Sequence, residues 1–138
     1  MSSYVTFTVD DGLYGVDVQR VQEALRAHAR TRVPLAPEGV AGLVNLRGQV
    51  VLTVDLRPRL GLAAVSDEDE QMMVVVQVSG ETVSLLVDEI GDVVDVPADR
   101  VEAPPDTLDP AIRPLIRAAC TLEGRLLLVL DVDEAAAA

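Results

Sequence analysis

The sequence predicts an all-β fold made of two five-stranded lobes. Three observations support it: the apolar residues are mostly Val, Leu and Ala, short runs alternate between apolar and polar residues, and the second half of the chain repeats the first. β-Branched side chains fit the half-buried surface of a strand, and alternation with a period of two turns one strand face to a core. With two Tyr, one Phe and no Trp, that core must be aliphatic.

Alternating runs and turn residues locate the elements of the first half. Strands are predicted over residues 4–9, 13–18, 42–46 and 49–56. The first two would turn at Asp10-Asp11-Gly12, and the second two at Arg47-Gly48. Between Asp17 and Arg26 the apolar spacing changes to one typical of a helix, which predicts a short helix or turn.

The second half begins after an acidic run, Ser66 to Glu70, which predicts a solvated linker. Strands are predicted over residues 72–78, 82–90, 93–96, 115–122 and 125–132. Pro97 to Pro110 is rich in Pro, Asp and Ala and predicts an irregular loop. We therefore expect one domain with a first lobe at about residues 1–65 and a second at about 71–134.

The internal repeat is clearest in the last hairpin of each half. Residues 46–55 and 122–131 share Leu, Gly, Leu and Asp at corresponding positions. Gly15-Val16-Asp17 corresponds in the same way to Leu86-Val87-Asp88. Units of this size bury only about 60% of the surface that their unfolded chain exposes. We therefore expect strand exchange or a shared apolar interface between the lobes.

The repeat also separates residues that serve the fold from those open to function. Residues that both halves share are explained by folding. Asn45 and Arg47 correspond instead to Thr121 and Glu123. Because the two halves differ at these positions, Asn45 and Arg47 are candidates for a function of the first lobe.

Charge and hydropathy exclude two classes of partner. The formal net charge of -12 repels nucleic-acid phosphates, and the aromatic platforms that bind single strands are missing. No apolar stretch approaches the roughly 18 residues of a membrane span, and the N-terminus lacks the pattern of a secretory signal. We expect no nucleic-acid partner, no membrane insertion and a cytoplasmic location.

The motifs of enzymes and metal sites are missing from the sequence. His28 is the single histidine, and Cys120 lies in an apolar strand pattern. Neither a Gly-x-Ser-x-Gly elbow nor a phosphate-binding loop occurs, and the acidic run lacks the spacing of a calcium loop. We expect a non-catalytic binding module without a cofactor or metal. A small hydrolase would remain an alternative only if carboxylates converged in a cleft between the lobes.

Short motifs along nearly the whole chain resemble those of the CheW family. They are Tyr14 to Val18, Val21-Gln22-Glu23, Thr31 to Pro34, Ala36-Pro37-Glu38, Gly42 to Gly48, Val54 to Arg57, Leu86 to Val93 and Leu122 to Asp131. Asn45-Leu46-Arg47-Gly48 is the most specific of them. The resemblance implies two intertwined five-stranded barrels of the SH3 or OB type, with short helical turns and no cofactor.

The same resemblance implies a function and a set of contact residues. The function would be that of an adaptor between the cytoplasmic tips of chemoreceptors and the regulatory domain of the histidine kinase CheA. An adaptor of another motility or two-component pathway is the alternative. The candidate protein-binding residues are Val21, Glu23, Gly42, Asn45, Arg47, Val87 and Val93. Ala24, Gly39 and Leu52 depart from the residues common in the family.

Overall fold

The computed structural model describes residues 1–26, 39–63 and 71–136. The strands are β1 (Ser2–Val9), β2 (Gly12–Asp17), β3 (Val21–Arg26), β4 (Val40–Leu46), β5 (Gln49–Asp55), β6 (Met72–Val78), β7 (Glu81–Val87), β8 (Glu89–Val96), β9 (Val101–Glu102), β10 (Ile116–Leu122) and β11 (Arg125–Leu130). The helices are α1 (Leu56–Arg59), α2 (Val132–Ala136) and 3₁₀ turns at Val18–Arg20, Ala98–Arg100 and Arg113–Leu115. His28, the motifs between Thr31 and Glu38, and the acidic run from Ser66 to Glu70 lie outside the described residues.

The strands form two sheets, which confirms the predicted all-β fold with two lobes. Sheet A has the order β8-β1-β2-β11-β10-β9, and sheet B has the order β3-β6-β7-β5-β4. Sheet A has six strands rather than five because the two-residue strand β9 pairs with β10 at Ala119 and Cys120. Strand β9 lies within the segment that the sequence predicts to be an irregular loop.

The two halves of the chain are intertwined through their first hairpins. The hairpin β1-β2 lies in sheet A beside β8, β10 and β11 from the second half, and the hairpin β6-β7 lies in sheet B beside β3, β4 and β5 from the first half. Two parallel contacts, β2 with β11 and β5 with β7, join the halves within each sheet. Each sheet therefore takes strands from both halves, and neither sheet coincides with residues 1–65 or 71–134.

The segment from Asp17 to Arg26 differs from the expected helix or turn. Only Val18–Arg20 forms a 3₁₀ turn, and Val21–Arg26 is the edge strand β3, which pairs antiparallel with β6. Along β3, half-buried and exposed residues alternate. Backbone pairing with a strand distant in sequence overrides the local helical spacing, as commonly happens at short segments.

The largest hydrophobic cluster is shared by the two sheets. It contains Phe7 and Val16 of sheet A together with Val76 and Leu85 of sheet B, and α1 adds Leu56. Smaller clusters lie within each lobe: Tyr4, Cys120 and Leu127 in sheet A, and Val44, Met73 and Leu86 in sheet B. Since apolar burial is the main favourable term in folding, most of the core that stabilises either lobe lies between the lobes.

The aspartate shared by the repeats caps a helix in both halves. Asp55 Oδ1 accepts a hydrogen bond from the Arg57 N–H at 3.0 Å at the start of α1. Asp131 Oδ1 accepts one from the Glu134 N–H at 3.2 Å at the start of α2. A side-chain oxygen in this position satisfies one of the free N–H groups of the first helical turn. The repeated Asp therefore ends a strand and begins a helix.

The shared glycines lie in the hairpin turns at positive φ. Gly48 has φ 85° and Gly124 has φ 73°, and a Cβ at either position would meet no atom within 4 Å. The requirement for glycine is therefore one of backbone conformation and not of space. The turns themselves differ, because Arg47 also has a positive φ of 52° whereas Glu123 does not.

We expect Gly48→Val and Gly124→Val each to lower the free energy of unfolding by about 1–2 kcal/mol, because a β-branched residue is strained at positive φ. At this chain length the melting temperature should fall by roughly 4–8 °C. Gly48→Asn and Gly124→Asn are the matched controls and should retain most of the stability, since Asn tolerates this region. Unchanged thermal unfolding in both Val variants would contradict the assignment.

We also expect the isolated halves, residues 1–65 and 71–138, to be poorly folded, because each lacks strands of both sheets and part of the shared core. Mixing them should restore the NMR chemical-shift dispersion of the intact chain, which should itself unfold cooperatively. Two halves that each give well-dispersed, independently stable spectra would refute this.

Candidate functional site

A groove crosses one end of sheet B, where the two edge strands of the sheet approach each other. Arg47, at the turn that follows β4, forms an ion pair with Glu23 on β3 through its Nη2 atom. Strands β3 and β4 stand at opposite ends of the sheet order. The ion pair therefore shows that sheet B curves until its edges nearly meet, and the side chains bridge the remaining opening.

The Arg47 backbone is held by the geometry of its turn. Arg47 and Gly48 both have positive φ, as in the type I′ turn that suits a two-residue hairpin. The Asn45 Oδ1 atom accepts a hydrogen bond from the Gly48 N–H at 2.9 Å. The side chain of Arg47 is 76% exposed and that of Glu23 is 24% exposed. Most of the guanidinium donors thus remain open to a partner.

The groove has an apolar floor and a polar rim. Val51 and Val75 are buried beneath it, and Leu46 is half-buried beside them. On the rim, the Gln77 Nε2 atom donates to Gln22 Oε1 at 2.7 Å and to Thr82 Oγ1 at 2.8 Å. The apolar surface that the groove offers a partner is therefore mainly that of Leu46, inside a hydrogen-bonding margin.

Five of the seven predicted binding residues lie on the two edge strands of sheet B or the adjoining turn. Glu23 and Arg47 form the ion pair, Asn45 supports the turn, and Val21 is half-buried on β3. Gly42 is buried on β4 with φ 141°. It pairs with Thr53 next to a register shift between β4 and β5. Gly42 therefore affects the shape of the β4 edge and offers no side chain to a partner.

The other two predicted residues lie elsewhere. Val87 has no exposed surface and belongs to the cluster between the sheets, so its side chain is enclosed by the protein itself. Its motif position is accounted for by packing in the core. Val93 is 57% exposed on β8, the edge strand of sheet A. It follows an irregularity in the pairing of β1 with β8, where the Thr6 hydroxyl donates to the Asp92 carbonyl.

Sequence reasoning missed the rim and one further surface. Gln22, Gln49 and Thr82 line the groove, and only a three-dimensional arrangement brings these strands together. Val50 and Leu126 are exposed apolar residues at corresponding positions of the repeat, one on β5 and one on β11. The repeat alignment contains this correspondence, but the alignment alone does not indicate that both side chains point to solvent.

The described residues hold no cluster able to bind a metal. No group of three or more His, Cys, Asp or Glu side chains able to bind a metal occurs among them. Burial raises the pKa of the Cys120 thiol, and the nearby Glu102 carboxylate adds to this shift. The thiol therefore stays protonated near neutral pH and is a poor nucleophile. Within the same described ranges, no helix has the length and apolar character to cross a membrane.

Comparisons of the sequence with known proteins identify a family and several relatives. A family model described as the CheW-like domain matches residues 3–138. The chain is 32% identical over 129 residues to the chemotaxis protein CheW of Rhizobium meliloti (strain 1021), covering 94% of this chain and 83% of that protein. It is 30% identical over 129 residues to the chemotaxis protein CheW of Bacillus subtilis (strain 168), with the same shares covered.

A solved structure has the same fold. The scaffolding protein TtCheW from Thermoanaerobacter tengcongensis superposes with a TM-score of 0.86 and 24% sequence identity, covering 97% of this chain and 86% of that chain. The intertwined sheets are thus an arrangement already seen in a crystal structure. Because the family model spans nearly all of the sequence, the chain belongs to the family of CheW-like domains.

Proposed function

We propose that the protein is a chemotaxis adaptor that couples the cytoplasmic tips of chemoreceptors to the regulatory domain of the histidine kinase CheA. Membership of the CheW-like family supports the proposal, as do relatives named as chemotaxis proteins and a structural neighbour described as a scaffolding protein. On this proposal the protein acts by binding and not by catalysis. It works in the cytoplasm and is recruited to receptor arrays at the membrane.

The groove on sheet B is the observation that carries the proposal. Leu46, half-buried in the groove, offers an apolar contact for one face of an amphipathic helix, which is a common way for a groove to bind a helical partner. Arg47 at its rim carries donors that can bind a carboxylate or the free carbonyl groups at a helix end. The cytoplasmic tip of a chemoreceptor is helical, so the groove and Arg47 fit its recognition.

A coupling protein also needs surfaces for a second partner. Val50 on β5 is 64% exposed, and Leu126 on β11 is its repeat equivalent. Val93 lies on the edge of sheet A, away from the groove residues. These three exposed apolar side chains would be covered by a partner that docked on them. We assign the CheA regulatory domain to these positions at the ends of the lobes and the receptor to the groove.

Arg47→Ala should weaken the binding of a purified receptor cytoplasmic fragment by at least about tenfold, because losing a charged contact that is buried on binding costs about 2–5 kcal/mol. The melting temperature should change little, since an exposed ion pair such as Arg47 with Glu23 contributes only about 0–1 kcal/mol to folding. Isothermal titration calorimetry and thermal unfolding measure the two effects.

Arg117→Ala is the matched control, because it removes an equal charge from an exposed position on β10 in sheet A. It should leave receptor affinity unchanged. Wild-type affinity of a folded Arg47→Ala variant for both the receptor fragment and the CheA regulatory domain would remove Arg47 from the site. If the unaltered chain bound neither partner, the function would belong to another pathway.

A further inference from the structure

The described strands pass between the two sheets through only two short crossovers. The chain leaves sheet A after β2 and enters sheet B at β3 through the turn Val18–Arg20. It leaves sheet B after β7 and returns to sheet A at β8, with Asp88 as the single residue between the strands. Each crossover carries a charged residue whose contacts join both sheets.

At the second crossover, one carboxylate accepts three hydrogen bonds from two segments. Asp88 Oδ1 accepts from Arg57 Nε at 3.1 Å, and Oδ2 accepts from Arg57 Nη2 at 2.6 Å and from the Asp10 N–H at 2.7 Å. The Asp88 N–H donates to the Thr8 carbonyl at 3.0 Å. Arg57 lies on α1, which follows a strand of sheet B, whereas Asp10 and Thr8 belong to the first hairpin of sheet A.

At the first crossover, the Arg20 guanidinium links sheet B to α2, the helix that follows sheet A. Arg20 Nε donates to the Gln77 carbonyl of sheet B at 3.0 Å, and Nη2 forms an ion pair with Asp133 Oδ1 at 2.7 Å. Asp133 lies on α2, which follows a strand of sheet A. The Arg59 side chain on α1 donates to the Glu134 carbonyl on α2. A series of polar contacts therefore links the Arg20 crossover to α2, α2 to α1, and α1 to the Asp88 crossover.

The helix members of the two crossover ion pairs are related by the repeat and carry opposite charges, whereas the crossover members are not related, since Asp88 corresponds to Asp17. Arg57 and Asp133 occupy corresponding positions, two residues after the capping residues Asp55 and Asp131. On α1 the helix supplies the cation and the crossover supplies the anion, whereas on α2 the assignment is the opposite. Both halves thus join the helix to a crossover, although the charges at equivalent positions are not shared.

We propose that the pairs Arg57–Asp88 and Arg20–Asp133 are clamps that fix the orientation of sheet A relative to sheet B. The apolar contacts of the shared core are non-directional and leave the angle between the sheets weakly defined. Charge-assisted hydrogen bonds are directional, and the bidentate bonds of Arg57 to Asp88 and the bonds of Arg20 to Asp133 and Gln77 supply the missing restraint. These residues are therefore positioning residues, which set the relation between the groove on sheet B and Val93 on sheet A without touching a partner.

The surroundings of Arg57 show why its loss would loosen the structure. Its side chain is only 15% exposed and that of Asp88 only 22%, so this pair is more shielded from solvent than the pairs Arg20–Asp133, Arg47–Glu23 and Arg113–Asp106. The hydrogen bond to Asp88 raises the pKa of Arg57, opposed in part by burial, and the carboxylates of Asp10 and Asp55 contribute to the rise. Without the guanidinium, these three carboxylates would repel one another.

The test measures the distance between the sheets directly in the full chain without any partner, so its result does not depend on the proposed function. Spin labels on cysteines at Glu81 in sheet B and at Glu123, in the β10-β11 turn of sheet A, report the separation by double electron–electron resonance. Cys120→Ala in all samples removes the native thiol. We expect Asp88→Asn and Asp133→Asn each to broaden the distance distribution about twofold or more.

Two further variants test whether the width of the distance distribution depends on these two ion pairs. Exchanging the charges, with Arg57→Asp and Asp88→Arg together, should give a narrower distribution than Asp88→Asn, because it restores an ion pair although the Asp10 N–H loses its acceptor. Asp106→Asn removes the exposed pair with Arg113, away from the crossovers, and should leave the width unchanged. Wild-type widths in folded Asp88→Asn and Asp133→Asn would overturn the proposal even if both melt at lower temperature. Asp133→Asn, at the more exposed pair, keeps the test valid if Asp88→Asn fails to fold.

Discussion

The shared apolar core between the sheets is the constraint on which the rest of the structure depends. The first hairpin of each half lies in the sheet built mainly from the other half, so Phe7 and Val16 meet Val76 and Leu85 across the boundary. A small lobe cannot bury enough apolar surface by itself. Exchange of the hairpins solves this problem by placing the largest cluster between the lobes, which is why we expect the two lobes to unfold as one unit.

Duplication supplied the framework, and divergence within it supplied the distinctive sites. Asp55 and Asp131 keep the same role as helix caps, and Gly48 and Gly124 keep the same role in turns. Arg47, in contrast, corresponds to Glu123. A hairpin tip accepts either charge because the side chain is solvated there, which leaves the position free to acquire a binding function.

Two ion pairs of this acidic chain suit different roles because their side chains are exposed to solvent to different degrees. The pair Arg47–Glu23 lies at an open rim, where water competes with it and a partner can reach the guanidinium. The pair Arg57–Asp88 is shielded and has two parallel hydrogen bonds. A charge at the surface is suited to recognition, whereas a half-buried bidentate pair is suited to holding segments in place.

The sequence by itself determined most of the strands, the turn at Arg47-Gly48, the repeat and, through its motifs, the family. These features are local: period-two alternation, turn chemistry and matched spacing can all be read along the chain. It failed at Val21–Arg26, where pairing with β6 overrides a helical spacing, and it did not reveal that Val87 is buried. Which hairpin joins which sheet, and whether Arg47 meets Glu23, depend on contacts between residues far apart in sequence. Only the tertiary structure decided these points, because the curvature of sheet B and the packing of the shared core arise from both halves together.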